Sequence, residues 1–177
     1  MLFCVCASKA AKRRVISTGK PLSAGLNDCA MKPEQRAMNN ETYRKCFDVC
    51  DEVKAARAGK KIRLRDYPAA IVMCKDSWEN PSAIAIEKSG KVVRNTYQET
   101  PQLEQALGNL GTIGGKRDEC KNYIGACAEP HSAKAVMQEQ PEADVSDLAF
   151  SCAYRPRTKT VIRYCKNCTD VFNVQNP

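Results

Sequence analysis

Gly125-Ala126-Cys127-Ala128-Glu129-Pro130-His131-Ser132-Ala133-Lys134-Ala135-Val136 is followed, 38 residues after its cysteine, by the Cys-x-x-Cys of Tyr164-Cys165-Lys166-Asn167-Cys168. Residues 128–140 read as a helix. Pro130 is acceptable there because it falls in the first turn, where no helical hydrogen bond is lost. A shorter helix is expected to start near Cys165. Two cysteines three apart at a helix start hold two thiolates at the separation one metal ion needs. The unpaired amides and dipole of such a terminus favour thiolate over thiol. With Cys127 as a third ligand, the fourth position of a tetrahedral zinc site is left to water, which is the catalytic rather than the structural pattern. Glu129 stands two residues from that ligand. Its carboxylate can face the water without binding the metal, and can shuttle a proton once zinc has brought the water's pKa to about 7.

A second arrangement uses the same cysteines. His131, the sole histidine, lies four residues from Cys127. A Cys127, His131, Cys165, Cys168 set would be a closed structural zinc site with no catalysis. In the catalytic arrangement His131 lines the pocket or faces solvent. Just before the metal loop, Arg155 and Arg157, with Lys159, Arg163 and Lys166, form a basic cluster suited to phosphate contact. Tyr154 and Tyr164 are candidates for stacking on a base. The plainer alternatives are a solvated strand face for the cations and core positions for the tyrosines.

Farther from the motif, residues 1–40 are irregular, with Gly19, Pro21, Gly25 and Pro33 and no sustained period, and residues 41–177 form the domain. Asn40 reads as the N-cap of an amphipathic helix over 41–58, on Tyr43, Cys46, Phe47, Cys50, Val53 and Ala56. Pro68 to Cys74 is apolar, as strand or buried helix. Ala83 to Lys88, Ser89-Gly90 and Lys91 to Arg94 carry a hairpin signal. Pro101 to Leu110 suits a short helix, and Leu148–Tyr154 and Thr160–Tyr164 look extended. This mixture predicts an α/β fold, a mixed sheet flanked by helices, with a short C-terminus.

Charge and cysteine usage narrow the partners. Residues 1–67 hold 15 Lys and Arg against 7 Asp and Glu, while residues 68–177 hold 13 of each, so the whole net charge of +8 lies in the first part. A basic segment beside a neutral domain suits a polyanion, and Lys60, Lys61, Arg63 and Arg65 are the candidate backbone contacts. A solvated lysine-rich surface is the alternative. Eleven cysteines cannot all pair internally. Reduced thiols, a metal site and a reducing, cytoplasmic site of action are expected. Cys46 and Cys50 read as core, Cys4-x-Cys6 as incidental, and Cys29, Cys74, Cys120 and Cys152 as small apolar residues. No run approaches the roughly 20 apolar residues of a membrane span. Met1 to Cys6 is shorter than a signal-peptide core, and its positive charges follow rather than precede it.

The Cys-Ala-Glu stretch 125–136 resembles the zinc helix of the cytidine deaminase superfamily. With Phe150-Ser151-Cys152-Ala153-Tyr154-Arg155-Pro156-Arg157-Thr158 and Tyr164-Cys165-Lys166-Asn167-Cys168, it is similar to deaminase domains of bacterial polymorphic toxins and YwqJ-like proteins. The resemblance spans about residues 80–172. Three features depart from the family pattern. Tyr164 stands where it usually has Pro, few residues follow Cys168, and no early strand offers a place for the Asn-x-Glu ribose contact of free-nucleoside enzymes. The resemblance implies a three-layer fold with zinc on Cys127, Cys165 and Cys168 and Glu129 as general acid–base. It implies conversion of cytosine to uracil in nucleic acid, most readily single-stranded DNA, since a duplex hides the reacting carbon. It also implies a delivered toxin with an immunity protein as partner. Deamination of free nucleosides or nucleotides is the alternative within the same chemistry.

Overall fold

The computed structural model describes residues 31–77 and 81–176. Helix α1 runs over Pro33–Ala56, so its start lies well before the expected Asn40 cap. Pro33 occupies the first helical position, where its fixed φ is already helical and its missing N–H costs nothing. Met38, Thr42, Cys46 and Val49 are buried at four- and three-residue spacing, which carries the inner face back beyond Asn40. Residues 33–40 are therefore helix rather than irregular chain. Cys4, Cys6 and Cys29 lie outside the described residues.

Strand β1, Ile71–Lys75, resolves the ambiguous apolar run as a central strand, with Ile71 to Cys74 all buried. Strand β2, Ile84–Lys88, pairs with it antiparallel, Ile71 opposite Lys88 and Lys75 opposite Ile84. The expected hairpin over 83–94 is thus half right. After β2 the backbone leaves the sheet: Ser89 N–H donates to Ala70 O at 2.9 Å and Gly90 N–H to Ala126 O at 3.1 Å. Residues 91–94 form no strand, because β2 has already found its partner upstream. Helices α2, Pro101–Gly108, and α3, Ala128–Glu139, follow. Then come β3, Ala149–Phe150; β4, Ala153–Arg155; β5, Thr160–Ile162; and α4, Lys166–Phe172. The sheet order is β2-β1-β4-β5, with β3 also on β1. Every pairing among the described residues is antiparallel, where a mixed sheet was expected. For β4 and β5 the reason is local: they are joined by the four-residue turn 156–159, which links only strands of opposite direction.

Strands β3 and β4 are one edge of pairing interrupted by a bulge. Phe150 lies opposite Cys74, yet Tyr154 lies opposite Ile71, so four steps on one strand match three on the other. Helix α1 holds this bulge with buried polar groups. Ser151 Oγ accepts from Met73 N–H at 3.0 Å and from the Thr42 hydroxyl at 2.9 Å. Asn39 Oδ1 accepts from Cys152 N–H at 2.7 Å.

Alternation along β1 and β4 sorts the core into two layers. Ile71 and Tyr154 pack with Cys46, Val49 and Cys152 under α1. Val72, Cys74, Phe150 and Ala153 pack with Leu103, Leu107, Val136, Met137, Cys168 and Phe172 of α2, α3 and α4. The sheet is therefore covered on both faces, α1 on one and the other three helices on the other. No helix among the described residues is long and apolar enough to cross a membrane.

Candidate metal centre

Helices α3 and α4 begin on cysteine. Cys127 is the N-cap of α3 and Cys165 that of α4, both with extended backbone at φ −73° and −80°. An N-cap normally offers a side-chain oxygen to the first free amides. Here the N-cap side chain is a thiol and makes no side-chain capping bond, so the sulfurs sit beside helix starts whose free amides favour negative charge. Cys127 Sγ and Cys165 Sγ are 3.3 Å apart, and Cys165 Sγ and Cys168 Sγ 3.6 Å. All three sulfurs lie within 4.8 Å of one another. Tetrahedral zinc with Zn–S near 2.3 Å sets sulfurs roughly 3.8 Å apart. The donor set, three thiols with no disulfide between them, therefore fits such an ion in kind and in spacing. The sulfurs share charge unequally. Contacts with the other two sulfurs pull Cys165 far down, while contact with Cys165 pushes Cys127 up and contact with both pushes Cys168 up.

Glu129 is 3% exposed, on the second residue of α3. Cys168 S–H donates to its Oε2 at 3.3 Å. Burial pushes its carboxyl up to about 7, against the pull of the Cys168 hydrogen bond. It touches the cluster but is not one of the mutually close ligand atoms.

Nor is His131. Its ring packs 6.1 Å from that of Tyr97, and Gly90 closes over its Nε2, which is buried without a partner. Burial holds its pKa below the usual value. The closed Cys3His arrangement is thus not what the fold assembles, although the four-residue spacing allowed it. The first turn of α3 directs Cys127 toward α4 and His131 toward the β2 exit.

Tyr154 and Tyr164 are not stacking platforms. Tyr154, 7% exposed, faces α1 across the sheet from the cysteines, against Tyr43. Tyr164, 8% exposed, lies in the α3–α4 core and donates its hydroxyl to Ser151 O. Strand alternation decides both, and the sequence offered no register by which to place them. The exposed aromatic beside the motif is Tyr123, 52% exposed, with Lys116 Nζ 4.7 Å over its ring. Its position four residues before Cys127 was the signal available.

Two further residues shape the approach to Cys127. Gly125 has φ +83°, and a Cβ there would come within 2.9 Å of the Tyr97 ring. The Tyr97 hydroxyl donates to Gly125 O. Asn122 Nδ2 donates to Cys127 Sγ at 3.4 Å.

The cations collect on one edge of the sheet. Arg155 ends β4 and Lys88 ends β2 at the level of Ile71, where β1 begins. Cys50 S–H donates to Pro156 O at 3.3 Å, which brings the exit of α1 to the same edge. Asp66 organises that exit, pairing with Arg57 and accepting from Arg63 N–H at 2.6 Å. The side chains of Lys60, Lys61, Arg63, Arg65, Arg155 and Arg157 remain exposed. Two residues beyond β2, Gly90 N–H donates to Ala126 O, which ties the segment before Cys127 to the end of that strand.

The eight cysteines of the described residues are free, and Cys46, Cys50, Cys74, Cys120 and Cys152 are buried as expected of small apolar residues. Comparison with protein families, with curated proteins and with solved structures returned no match.

Proposed function

We propose that this protein is a zinc-dependent hydrolytic deaminase with the cytidine deaminase-like fold, acting on a cytosine-type base in single-stranded nucleic acid. The observation that carries the reading is a buried carboxylate, Glu129, in contact with a three-cysteine cluster without being part of it. Cys127, Cys165 and Cys168 would hold the ion, a three-ligand set of the catalytic rather than the structural kind. Bound there, zinc supplies a Lewis acid beside which water ionises near neutral pH. Glu129 would take one proton of the water and pass it to the ring nitrogen, which keeps it, and would carry the water's second proton to the amino group. The water oxygen stays on the ring carbon as a carbonyl, and the amino nitrogen leaves as ammonia. A carboxyl raised toward neutrality by burial suits a group that must both accept and donate.

Support for a polynucleotide comes from the exposed cations Lys60, Lys61, Arg63, Arg65, Arg155 and Arg157, which would hold phosphates without reading sequence. Free thiols throughout the described residues suit action in a reducing compartment.

Purified protein incubated with single-stranded DNA, single-stranded RNA and free cytidine, with products read by sequencing and chromatography, tests the reading. The expected result is C-to-T change in oligonucleotides, close to one equivalent of zinc, and Glu129→Gln protein that keeps zinc and fold but loses activity by about 10²–10⁴ or more. Product from free cytidine alone would move the substrate to nucleosides. Full activity in Glu129→Gln, or in metal-free protein, would end the deaminase reading.

A further inference from the structure

The three ligands reach the centre on two separate stretches of chain. Cys127 comes at the end of the loop 109–127, and Cys165 and Cys168 come on α4. Thiolates repel one another until an ion is bound, so something must hold these arms together.

Asn122 touches both. Its side-chain amide donates to Cys127 Sγ at 3.4 Å. Its backbone carbonyl accepts from Asn167 Nδ2 at 3.1 Å, and Asn167 stands between Cys165 and Cys168. Asn167 is 2% exposed, and apart from that bond its side chain has no recorded partner, its Oδ1 being buried and unsatisfied. A buried amide kept at that cost serves the one bond it makes. A second tie runs parallel to the first: Arg117, five residues before Asn122, pairs with Asp170 of α4, which also pairs with Lys166.

We infer that Asn122 is a positioning residue of the metal centre, a bracket whose side chain orients the Cys127 sulfur while its carbonyl, through Asn167, sets the distance to the Cys165–Cys168 arm. The inference rests on the reading that the three cysteines hold a metal. Groups of this kind, bonded to a ligand rather than to the ion, typically change metal affinity by 10- to 100-fold when removed. An amide N–H on a thiolate also lowers its donor strength, which a spectroscopic metal reports.

The test uses the full chain loaded with zinc or cobalt(II), in wild type, Asn122→Ala, Asn122→Asp and Asn167→Ala. Zinc affinity is measured by competition with a chromophoric chelator, and the sulfur-to-cobalt charge-transfer band by absorption. Asn122→Ala and Asn122→Asp, the second keeping the shape without the N–H, are expected to weaken zinc by about 10- to 100-fold and to shift the band. Asn167→Ala should weaken zinc with a smaller band shift, since it does not touch sulfur. Metal-free unfolding midpoints of both Asn122 variants should match wild type, because Asn122 is exposed. Wild-type affinity and an unshifted band in both Asn122 variants would overturn the inference and leave the metal reading intact. A wild-type chain that takes up neither ion would instead overturn the metal reading, and this inference with it.

Discussion

Glu129 and His131 stand two residues apart on one helical turn, and the fold gives them opposite surroundings. Glu129 meets a thiol of the cluster, whereas His131 meets a tyrosine ring and a glycine. Removing the imidazole should therefore leave the metal in place. His131→Gln protein is expected to retain its zinc on dialysis, and a variant that lost it would return the Cys3His arrangement. The same residue gives a pH signature. Burial holds its folded pKa below the ordinary 6.5. The unfolded chain then binds the proton first as pH falls, so the stability tied to the neutral ring is present above about 6.5 and lost below it. Denaturant midpoints of wild type and His131→Gln, measured at steps from about pH 7 to about pH 5, should show a flatter curve for the variant. Parallel curves would mean that the ring is as well solvated folded as unfolded.

At the level of elements, the bulge between β3 and β4 couples the two faces of the sheet. On one side Thr42 and Asn39 of α1 bond to Ser151 and Cys152. On the other, Tyr164 bonds to Ser151 O, one residue before the ligand Cys165. Ser151 thus links α1 to the strand-to-α4 connection that delivers two ligands. Ser151→Ala leaves the Met73 N–H and the Thr42 hydroxyl in a buried place with one acceptor fewer. The expected cost is about 1–3 kcal/mol, read as a lower denaturant midpoint at unchanged slope. Combined with Thr42→Val, the effects should be clearly non-additive, because the two side chains share one hydrogen bond. Simple additivity would show that the bulge relaxes and finds other partners.

Across the whole molecule, Lys60, Lys61, Arg63 and Arg65 follow α1, and the Cys50–Pro156 hydrogen bond ties that helix to the turn after β4, beside Arg155 and Arg157. Reversal of Lys60, Lys61, Arg63 and Arg65 to Glu is expected to weaken single-strand binding alike for all sequences. It should also flatten the salt dependence by on the order of 0.7 in slope per lost phosphate contact. Their side chains are exposed, so the unfolding free energy should change by no more than about 0.5 kcal/mol per substitution. Unchanged affinity and salt slope in fluorescence anisotropy would identify these cations as solvated surface.

Much of this protein is legible one residue after another. The Cys165-x-x-Cys168 pair and the placing of Glu129 two residues after Cys127 are legible from spacing at a helix start, whereas the approach of Cys127 to that pair across 38 residues is made by the fold. The helical spans of α2, α3 and α4 were readable for the same reason. What spacing does not carry is register and facing across the sheet. Tyr154 and Ala153 are neighbours in sequence and lie on opposite faces; the one-residue bulge at 151–152 decides which. The partner of β2 depended on a strand nine residues upstream competing with a turn signal immediately downstream. Asn122 and Asn167 carry no pattern at all. Only the packing of one loop against one short helix brings the Asn167 amide to the Asn122 carbonyl, because a contact between residues 45 apart is a property of the folded chain rather than of any segment of it.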